Sequence, residues 1–457
     1  MDQLKPNPAN SCPLTPLGFI ERAATAYDDC PSIIYNDTTY TWSQTYRRCL
    51  QLASSLFSFA VSLFPPHSKT PKLVLITDDK EISSSSSPPP RIPPADFVDT
   101  YENMLAKGDP QFSWVRPKSD LDRMVLNYTS GTTSAPKGVV QCHKALFIIA
   151  VDSLIDWSVP KQSVLLWTLP MFHNNGWSFT WGAAAVGATN VCLRKFDAPT
   201  VFALIRKHGV THMCGAPIVL NLLSSSPEAK PLDRPVHILT AGSPPPAPVL
   251  LRTESLGFIV SHGYGITEDC WCHLDIVDPK TGLSVKRDGL TRGEIVMRGG
   301  SLMLGYLKDP EATSKCMKDG RYYTGDVGVM HPDGYLEIKD RSKDVIISGG
   351  ENISSAEIES VLYSHPVVNE AAVVGRPDPF WQEIPCAFVS LKTGTDSGGM
   401  MTTEKDIIQY CRARIPRYMV PKTVVIIDEL PKTATSKVQK YVLRDIANSM
   451  SMSHSRM

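Results

Sequence analysis

The sequence predicts an α/β fold in two unequal parts, and three observations carry that prediction. From Met124 onward, short β-branched runs alternate with helical stretches, the order that builds a largely parallel sheet with helices on both faces. After Gly293 the texture changes to short strands and turns, marked by Gly299-Gly300, Asp319-Gly320 and Asp333-Gly334. Beyond Lys343 a unit of roughly a hundred residues carries its own strands and helices, an α+β domain of ordinary size. A chain of 457 residues can bury two such cores.

Taken in order, Ser32-Ile33-Ile34-Tyr35 and Thr39-Tyr40-Thr41-Trp42 flank the turn Asn36-Asp37 and read as a hairpin. Ser43 caps a helix that sets Tyr46, Cys49, Leu50, Ala53 and Leu56 on one face. Lys72–Thr77 reads as a buried strand, and the Ser/Pro run from Ser83 to Pro94 as an exposed loop. In the alternating region, strands are expected at Val164–Thr168, Thr189–Leu193, Thr211–Cys214, His237–Thr240 and Gly257–Ser261. Helices are expected at Ala198–His208 and Ala247–Leu256. In the last unit, strands fall at Val345–Ile347, Ala371–Val374, Ala387–Leu391 and Thr423–Ile427, with helices at Ala356–Tyr363 and Glu404–Ala413.

Composition excludes several classes. Lys+Arg and Asp+Glu both total 46, so no net charge draws the chain to nucleic acid or an anionic membrane. No apolar run approaches the ~18 residues of a membrane span, and the N-terminus lacks the apolar core of a secretory signal. Eleven cysteines form no regular framework, which suits a reducing compartment. Cys270, Cys272 and His273 match no common zinc spacing. The chain ends Ser455-Arg456-Met457, similar to the peroxisomal S-K-L address, and residues 449–457 read as a flexible tail presenting it to an import receptor, with the cytoplasm as the alternative location.

The stretch Tyr128–Gly138 combines two glycines that admit close backbone approach, five Ser or Thr hydroxyls and Lys137, a mixture suited to a polyphosphate. It is not a Walker A loop, since Pro136 and Gly138 stand where Gly and Ser or Thr are required. Met171–Trp177 places His173 at a strand-to-helix loop. Gly263–Glu268 joins an aromatic face, a hydroxyl and an acid, and a carboxylate beside phosphate groups commonly shares Mg²⁺ with them. Asp326 lies in Tyr323-Thr324-Gly325-Asp326, where an acid can accept from ribose hydroxyls. Lys437 ends the polar loop Lys432–Lys437. Taken singly, each has a bland alternative: a surface loop, a packed histidine, a helix cap, a turn aspartate, a solvated lysine.

Their order is specific. Tyr128–Gly138, Pro170–Gly176, Ala241-Gly242-Ser243-Pro244, Tyr264–Glu268, Tyr323–Asp326, Asp340–Lys343 and Pro431–Lys437 together resemble the adenylate-forming acyl-activating enzymes, a family of acyl–CoA synthetases, coumarate–CoA ligases, luciferases and peptide-synthetase adenylation domains. With Asp344–Asn352 and the terminal tripeptide, the chain looks most like the plant peroxisomal branch, which includes benzoate–CoA ligases. The resemblance implies a large N-terminal domain over 1–340 with a small barrel-like β region, a hinge, and a small C-terminal domain over 341–448.

It also implies roles. Thr129, Ser130, Gly131, Thr132, Thr133 and Lys137 would hold the β- and γ-phosphates of ATP, and His173 would border the acyl pocket. Gly242, Ser243, Tyr264 and Gly265 would surround adenine, with Thr267 on the α-phosphate and Glu268 on Mg²⁺. Asp326 and Arg341 would hold the ribose, Lys343 would be the hinge, and Lys437 the catalytic lysine. The small domain would then rotate to open a path for CoA beside Gly349 and Gly350. The implied reaction is activation of a short- or medium-chain or aromatic acid to acyl-AMP, followed by a thioester with CoA. Trp177, Phe179 and Trp181 hint at an aromatic-lined acid pocket, with ordinary packing equally expected.

The pattern departs from the family at three places. Several dozen residues are expected between Leu56 and Val61, and another block between Glu268 and His273. Ser436 occupies the glycine before Lys437, a substitution worth about a kcal/mol if φ must be positive there. A second reading follows: a shortened homologue with weak or no ligase activity that binds nucleotide or a partner.

Overall fold

The computed structural model describes residues 7, 9–63, 73–76, 97–129, 136–243, 245–269, 273–392, 403–433 and 437–454. The Ser/Pro run, loop residues 130–135, Cys270, Cys272, Ser436 and the terminal tripeptide lie outside them.

The alternating region forms a seven-stranded sheet in the order Phe258–His262, Val236–Thr240, His212–Cys214, Val164–Trp167, Thr189–Cys192, Pro31–Tyr35, Thr38–Thr41. Every neighbouring pair is parallel except the last, the predicted N-terminal hairpin. That hairpin joins far along the chain, Ile33 and Ile34 pairing with Asn190 and Val191. Both faces are covered. On one side Val201, Phe202, Leu220, Leu223 and Val249 meet Leu166, Met213 and Ile238; on the other Trp157 and Phe179 meet Leu165 and Trp167. The helix Ala198–His208 shows why its bounds were legible: Asp197 accepts from Thr200 N, Pro199 sits in the first turn, Arg206-Lys207-His208 fill the last, and Gly209 closes it at φ 62°.

The first expected strand of that region pairs differently. Arg123–Tyr128 runs antiparallel to Gly138–Cys142, which pairs with Gly305–Tyr306 in a separate three-stranded sheet. The two strands that flank the phosphate-type loop therefore form a hairpin. After it comes an unpredicted helix, His143–Asp156, whose apolar residues lie on nearly every side and so leave no 3.6-residue stripe.

The short-strand region is a five-stranded antiparallel sheet that includes Gly293–Arg298, Arg321–Met330 and Leu336–Arg341. The small domain's sheet carries Glu351–Ile353, Ile346–Ser348, Gln382–Leu391 and Val368–Asp378 in that order, with Thr423–Ile426 parallel to Gln382–Leu391. Its helices Ser355–Tyr363 and Glu404–Arg412 cover one face.

Three expectations need correction. Leu73–Leu75 forms a two-stranded parallel sheet with Phe97–Thr100, and Leu73 and Ile76 are 48% and 75% exposed, so this strand is not buried: two strands cannot shield both their faces. The helix Trp42–Leu63 is capped by Thr41 rather than Ser43: Thr41 Oγ1 accepts from Gln44 N at 3.3 Å, and Gln44 Oε1 accepts from Thr41 N at 2.9 Å. Residues 449–454 are not a flexible tail but the end of the helix Lys440–His454. Leu443 and Ala447, four apart, are both fully buried against Phe388 and Cys386, and this contact docks the helix on the sheet's second face.

Candidate active site

The cleft between the two domains collects most of the predicted residues, each delivered by the end of a regular element. Thr129 and Lys137 close the foot of the phosphate-type loop: Thr129 N donates to Lys137 O at 2.9 Å, and Lys137 N donates to Thr129 Oγ1 at 3.0 Å. Gly242 follows the strand Val236–Thr240 with φ 92°, a conformation that favours glycine. A Cβ built there would sit 3.2 Å from Lys437 Cε, so the lysine stem lies directly over Gly242. Ser243 beside it is exposed, and Tyr264, Gly265 and Thr267 follow the next strand of the same sheet, Phe258–His262.

Asp326 and Arg341 are cross-strand partners in the antiparallel pair Arg321–Met330 and Leu336–Arg341. Their side chains lie 3.5 Å apart, Arg341 Nε to Asp326 Oδ1. Tyr264 donates its hydroxyl to Asp326 Oδ2 at 2.7 Å. Burial lifts the Asp326 carboxyl above its ordinary value, while Arg341 and the Tyr264 hydrogen bond work against that rise. Tyr264 itself is pushed well up by burial and by Asp326, so it keeps its proton.

Lys437 reaches this group from the small domain. Burial and the nearby Arg341 lower its pKa, while Asp326 and Glu268 oppose the shift. His173 caps the helix Asn174–Val186; burial and the charge of Lys437 push its pKa down to about 4, so the ring is neutral. Its Nε2 is buried and meets no hydrogen-bond partner among the described residues. Lys343 is exposed on the turn after Arg341, and Gly349-Gly350, at φ 60° and 89°, make the turn between the strands Ile346–Ser348 and Glu351–Ile353. A side chain on Gly349 would strike the Trp381 ring at 2.6 Å.

Sequence reasoning missed what holds Glu268. This carboxylate is 8% exposed, and Tyr306 donates its hydroxyl to Oε1 at 2.6 Å. The same tyrosine ring lies under Lys137, with Nζ 4.8 Å from the ring centroid. Tyr322 OH stands 3.3 Å from Tyr306 OH, and Gln141 Nε2 donates to the Glu268 carbonyl at 3.2 Å. The only available signal was Gly305-Tyr306, too common a pair to single out. A cavity of about 570 Å³ opens here, lined by Lys137, Tyr306, Tyr322, Tyr323, Thr324 and Gly325 among others. The aromatic hint, by contrast, resolves to packing. Trp177 is 7% exposed against Leu146 and Ile149, Phe179 lies edge-on to Trp157, and Trp181 packs on the N-terminal helices.

The arrangement can accept an anionic ligand between Lys137 and Lys437, with hydroxyl-binding acids at Asp326 and a carboxylate at Glu268. Known proteins identify the family. The AMP-binding enzyme profile matches residues 66–274, and the AMP-binding enzyme C-terminal domain profile matches 357–437. The chain is 52% identical to 2-methylpropanoate–CoA ligase of Humulus lupulus over 552 positions, covering 98% of each. It is 50% identical to a probable peroxisomal acyl-activating enzyme of Arabidopsis thaliana, over 98% of this chain and 99% of that one. Among solved structures it is similar to o-succinylbenzoate–CoA synthetase from Bacillus subtilis in complex with its acyl-adenylate intermediate, with TM-score 0.78, 25% identity, and 93% and 98% of the two chains covered. ATP-bound MatB from Rhodopseudomonas palustris shares the fold at TM-score 0.79 and 21% identity, over 94% and 99% of the two chains. The first alignment has 95 positions more than this chain has residues, yet it reaches nearly the whole of both proteins. That coverage gives no support to a nucleotide-binding remnant. On profile, identity and fold together, the chain belongs to the AMP-binding enzymes, the adenylate-forming acyl-activating family.

Proposed function

We propose that the chain is an AMP-forming carboxylate–CoA ligase for a small acid, aliphatic, branched or aromatic, with Lys437 as its adenylation lysine. The observation that carries the assignment of Lys437 is its position: a small-domain side chain threaded over Gly242 into the large-domain cleft. The enzyme uses ATP, Mg²⁺ and CoA. The 2-methylpropanoate specificity of the hop relative supports a short branched acid, and the wider plant branch keeps benzoate in the panel.

The chemistry follows from charge. A carboxylate and a triphosphate repel, so the acid oxygen reaches the α-phosphorus only where cations bridge the two. Lys437 stands to do this, and Lys137 faces the departing pyrophosphate. As the new O–P bond forms, the bond to pyrophosphate breaks. Thr267 is assigned to the α-phosphate, Asp326 and Arg341 to the ribose, and Gly242, Ser243, Tyr264 and Gly265 to adenine. Loop residues 129–137 are assigned to the β- and γ-phosphates, and His173 to the acyl pocket, where a neutral ring adds no charge beside the acid.

Glu268 fits Mg²⁺ by chemistry: a hard oxygen donor beside a phosphate lysine. Among the described residues no cluster of three or more acidic, His or Cys side chains forms a ready-made cage, as suits an ion completed by nucleotide oxygens. When bound it would neutralise charge on pyrophosphate. In the second half, the CoA sulfur attacks the acyl carbonyl and AMP leaves. We assign that step to a rotation about Lys343 that withdraws Lys437 and brings Gly349-Gly350 to the thiol. The same proposal covers the division at 340/341, the missing family segments near 57–61 and 269–273, and peroxisomal import through Ser455-Arg456-Met457. The relative's peroxisomal name and an alignment 95 positions longer than this chain support it.

The test is AMP release by the purified chain with ATP, Mg²⁺, CoA and a panel of aliphatic, branched, benzoic and cinnamic acids. Lys437→Ala should abolish acyl-adenylate formation. ATP binding with no AMP from any acid would refute the reading.

A further inference from the structure

The lysine that enters the cleft is the middle one of three. Lys432 and Lys440 flank Lys437 in sequence, and both are turned into the small domain. Between them the described residues on either side of 434–436 run antiparallel. Lys432 pairs with Val438, Thr433 N donates to Lys437 O at 2.9 Å, and Gln439 N donates to Pro431 O at 2.8 Å. Lys437 N donates to Thr433 Oγ1 at 3.2 Å. These bonds hold the two ends of the turn together. They do not fix where it stands relative to the domain that carries it.

The outer lysines do. Lys432 Nζ lies 2.8 Å from Glu370 Oε2, and that glutamate side chain is 6% exposed on the strand Val368–Asp378. Lys440 Nζ lies 2.8 Å from Glu359 Oε1 on the helix Ser355–Tyr363 and donates to Ser355 Oγ at 2.6 Å. Glu359 Oε1 also accepts from Val373 N at 2.8 Å, so its carboxylate is itself anchored to the sheet. Ser355 donates through both its backbone N–H and its hydroxyl to Asp340 Oδ2, each at 2.7 Å. Asp340 immediately precedes Arg341, the partner of Asp326. A continuous run of contacts thus joins the foot of the Lys437 turn to the strand that carries Arg341.

We infer that the Lys432–Glu370 and Lys440–Glu359 ion pairs position Lys437 for adenylation, staking both ends of its turn to the small domain. The inference rests on Lys437 being the adenylation lysine. The physical reason is tolerance: a reacting charge displaced by about 1 Å can lose a hundredfold in rate. A turn anchored at one end can pivot by that much, whereas one anchored at both ends cannot. Partly buried ion pairs give register more than net stability, since desolvation offsets most of their attraction. Neither outer lysine touches the reacting atoms; they are positioning residues.

The experiment separates the two half-reactions in the full chain. Lys432→Met and Lys440→Met are compared with Lys432→Arg, Lys440→Arg and Lys437→Ala. Adenylation is read as ATP–pyrophosphate exchange with the best acid of the panel and no CoA. The second half is read as thioester formed from CoA and the synthetic adenylate of that acid. The methionine variants should lose exchange by about a hundredfold, keep thioester formation, and be largely rescued by arginine. Equal loss in both halves, or full exchange in the methionine variants, overturns the inference. Should either methionine variant not fold, Glu370→Gln and Glu359→Gln take its place, with the same loss of exchange expected and the same two results overturning the inference. Lys437→Ala distinguishes the failures. If it retains exchange, the reading of the active site is wrong; if it loses exchange while the outer-lysine variants retain it, the positioning inference alone falls.

Discussion

Tyr306→Phe removes one oxygen atom and tests how the carboxylate assigned to Mg²⁺ is held. The lost bond, Tyr306 OH to Glu268 Oε1 at 2.6 Å, is charge-assisted and buried with Glu268 8% exposed. Such bonds contribute about 1.5–3 kcal/mol net, or about 10- to 150-fold in an equilibrium at 1.4 kcal/mol per decade. The ring remains, so Lys137 keeps its aromatic platform and the packing of Val139, Met297 and Met303 is undisturbed. Burial and Glu268 push the Tyr306 pKa far above its ordinary value, so the wild-type hydroxyl is a donor at every working pH and the defect should not vary with pH. The assay is adenylation rate against Mg²⁺ at fixed ATP. Half-saturation should move to at least about tenfold higher Mg²⁺, while thioester formation from synthetic adenylate is unchanged. A Tyr306→Phe enzyme that is folded by circular dichroism and has the wild-type Mg²⁺ dependence would refute the argument.

Other outcomes follow from the same geometry. Lys437 acts as a cation and its pKa is lowered from 10.5 by burial and Arg341, so adenylation should fall as pH rises through that lowered value and be unaffected by it on the acid side. Pyrophosphate exchange against pH reads this limb, and Lys437→Arg, where active, should move it upward. Leu443→Ala, at a fully buried contact with Phe388, should cost the small domain about 2–5 kcal/mol, read by denaturant unfolding. Trp177→Ala should cost about 3–5 kcal/mol in the same measurement and leave the order of preferred acids unchanged, because the ring is core. Gly242→Ala places a methyl group 3.2 Å from Lys437 Cε at φ 92°, and should depress exchange far more than thioester formation.

Residue chemistry was legible wherever local rules decide it. The helix Ala198–His208 announced both its ends, and the five parallel strands from Val164 to His262 each fell where a short run was expected. Asp326 and Arg341 could be named singly, but only the strand register shows them facing each other. The pairing of Arg123–Tyr128 with Gly138–Cys142 was not legible, because an apolar strand before a glycine-rich loop serves a hairpin and a βα turn equally well. The anchors of Glu268 and of the Lys437 turn were hidden for a different reason. Tyr306 and Glu268 are 38 residues apart in sequence, and Lys440 and Ser355 are 85 apart. No local pattern records such contacts.

The charges in the cleft bear on how one site can serve two reactions. Burial first, and the Arg341 charge second, disfavour the charged form of Lys437, while Asp326 and Glu268 oppose them. On the proposed mechanism, ATP and acid bring negative charge to the buried Lys437 and so favour this arrangement over one with Lys437 withdrawn. Adenylation reverses the balance. The carboxylate and the α-phosphate become one mixed anhydride carrying a single negative charge, and the rest departs with pyrophosphate. The attraction that held Lys437 beside Arg341 then weakens, while their repulsion is unchanged. If the proposed hinge operates, it needs no separate signal to move: the loss of negative charge on completing the first reaction would itself lower the cost of withdrawing the lysine.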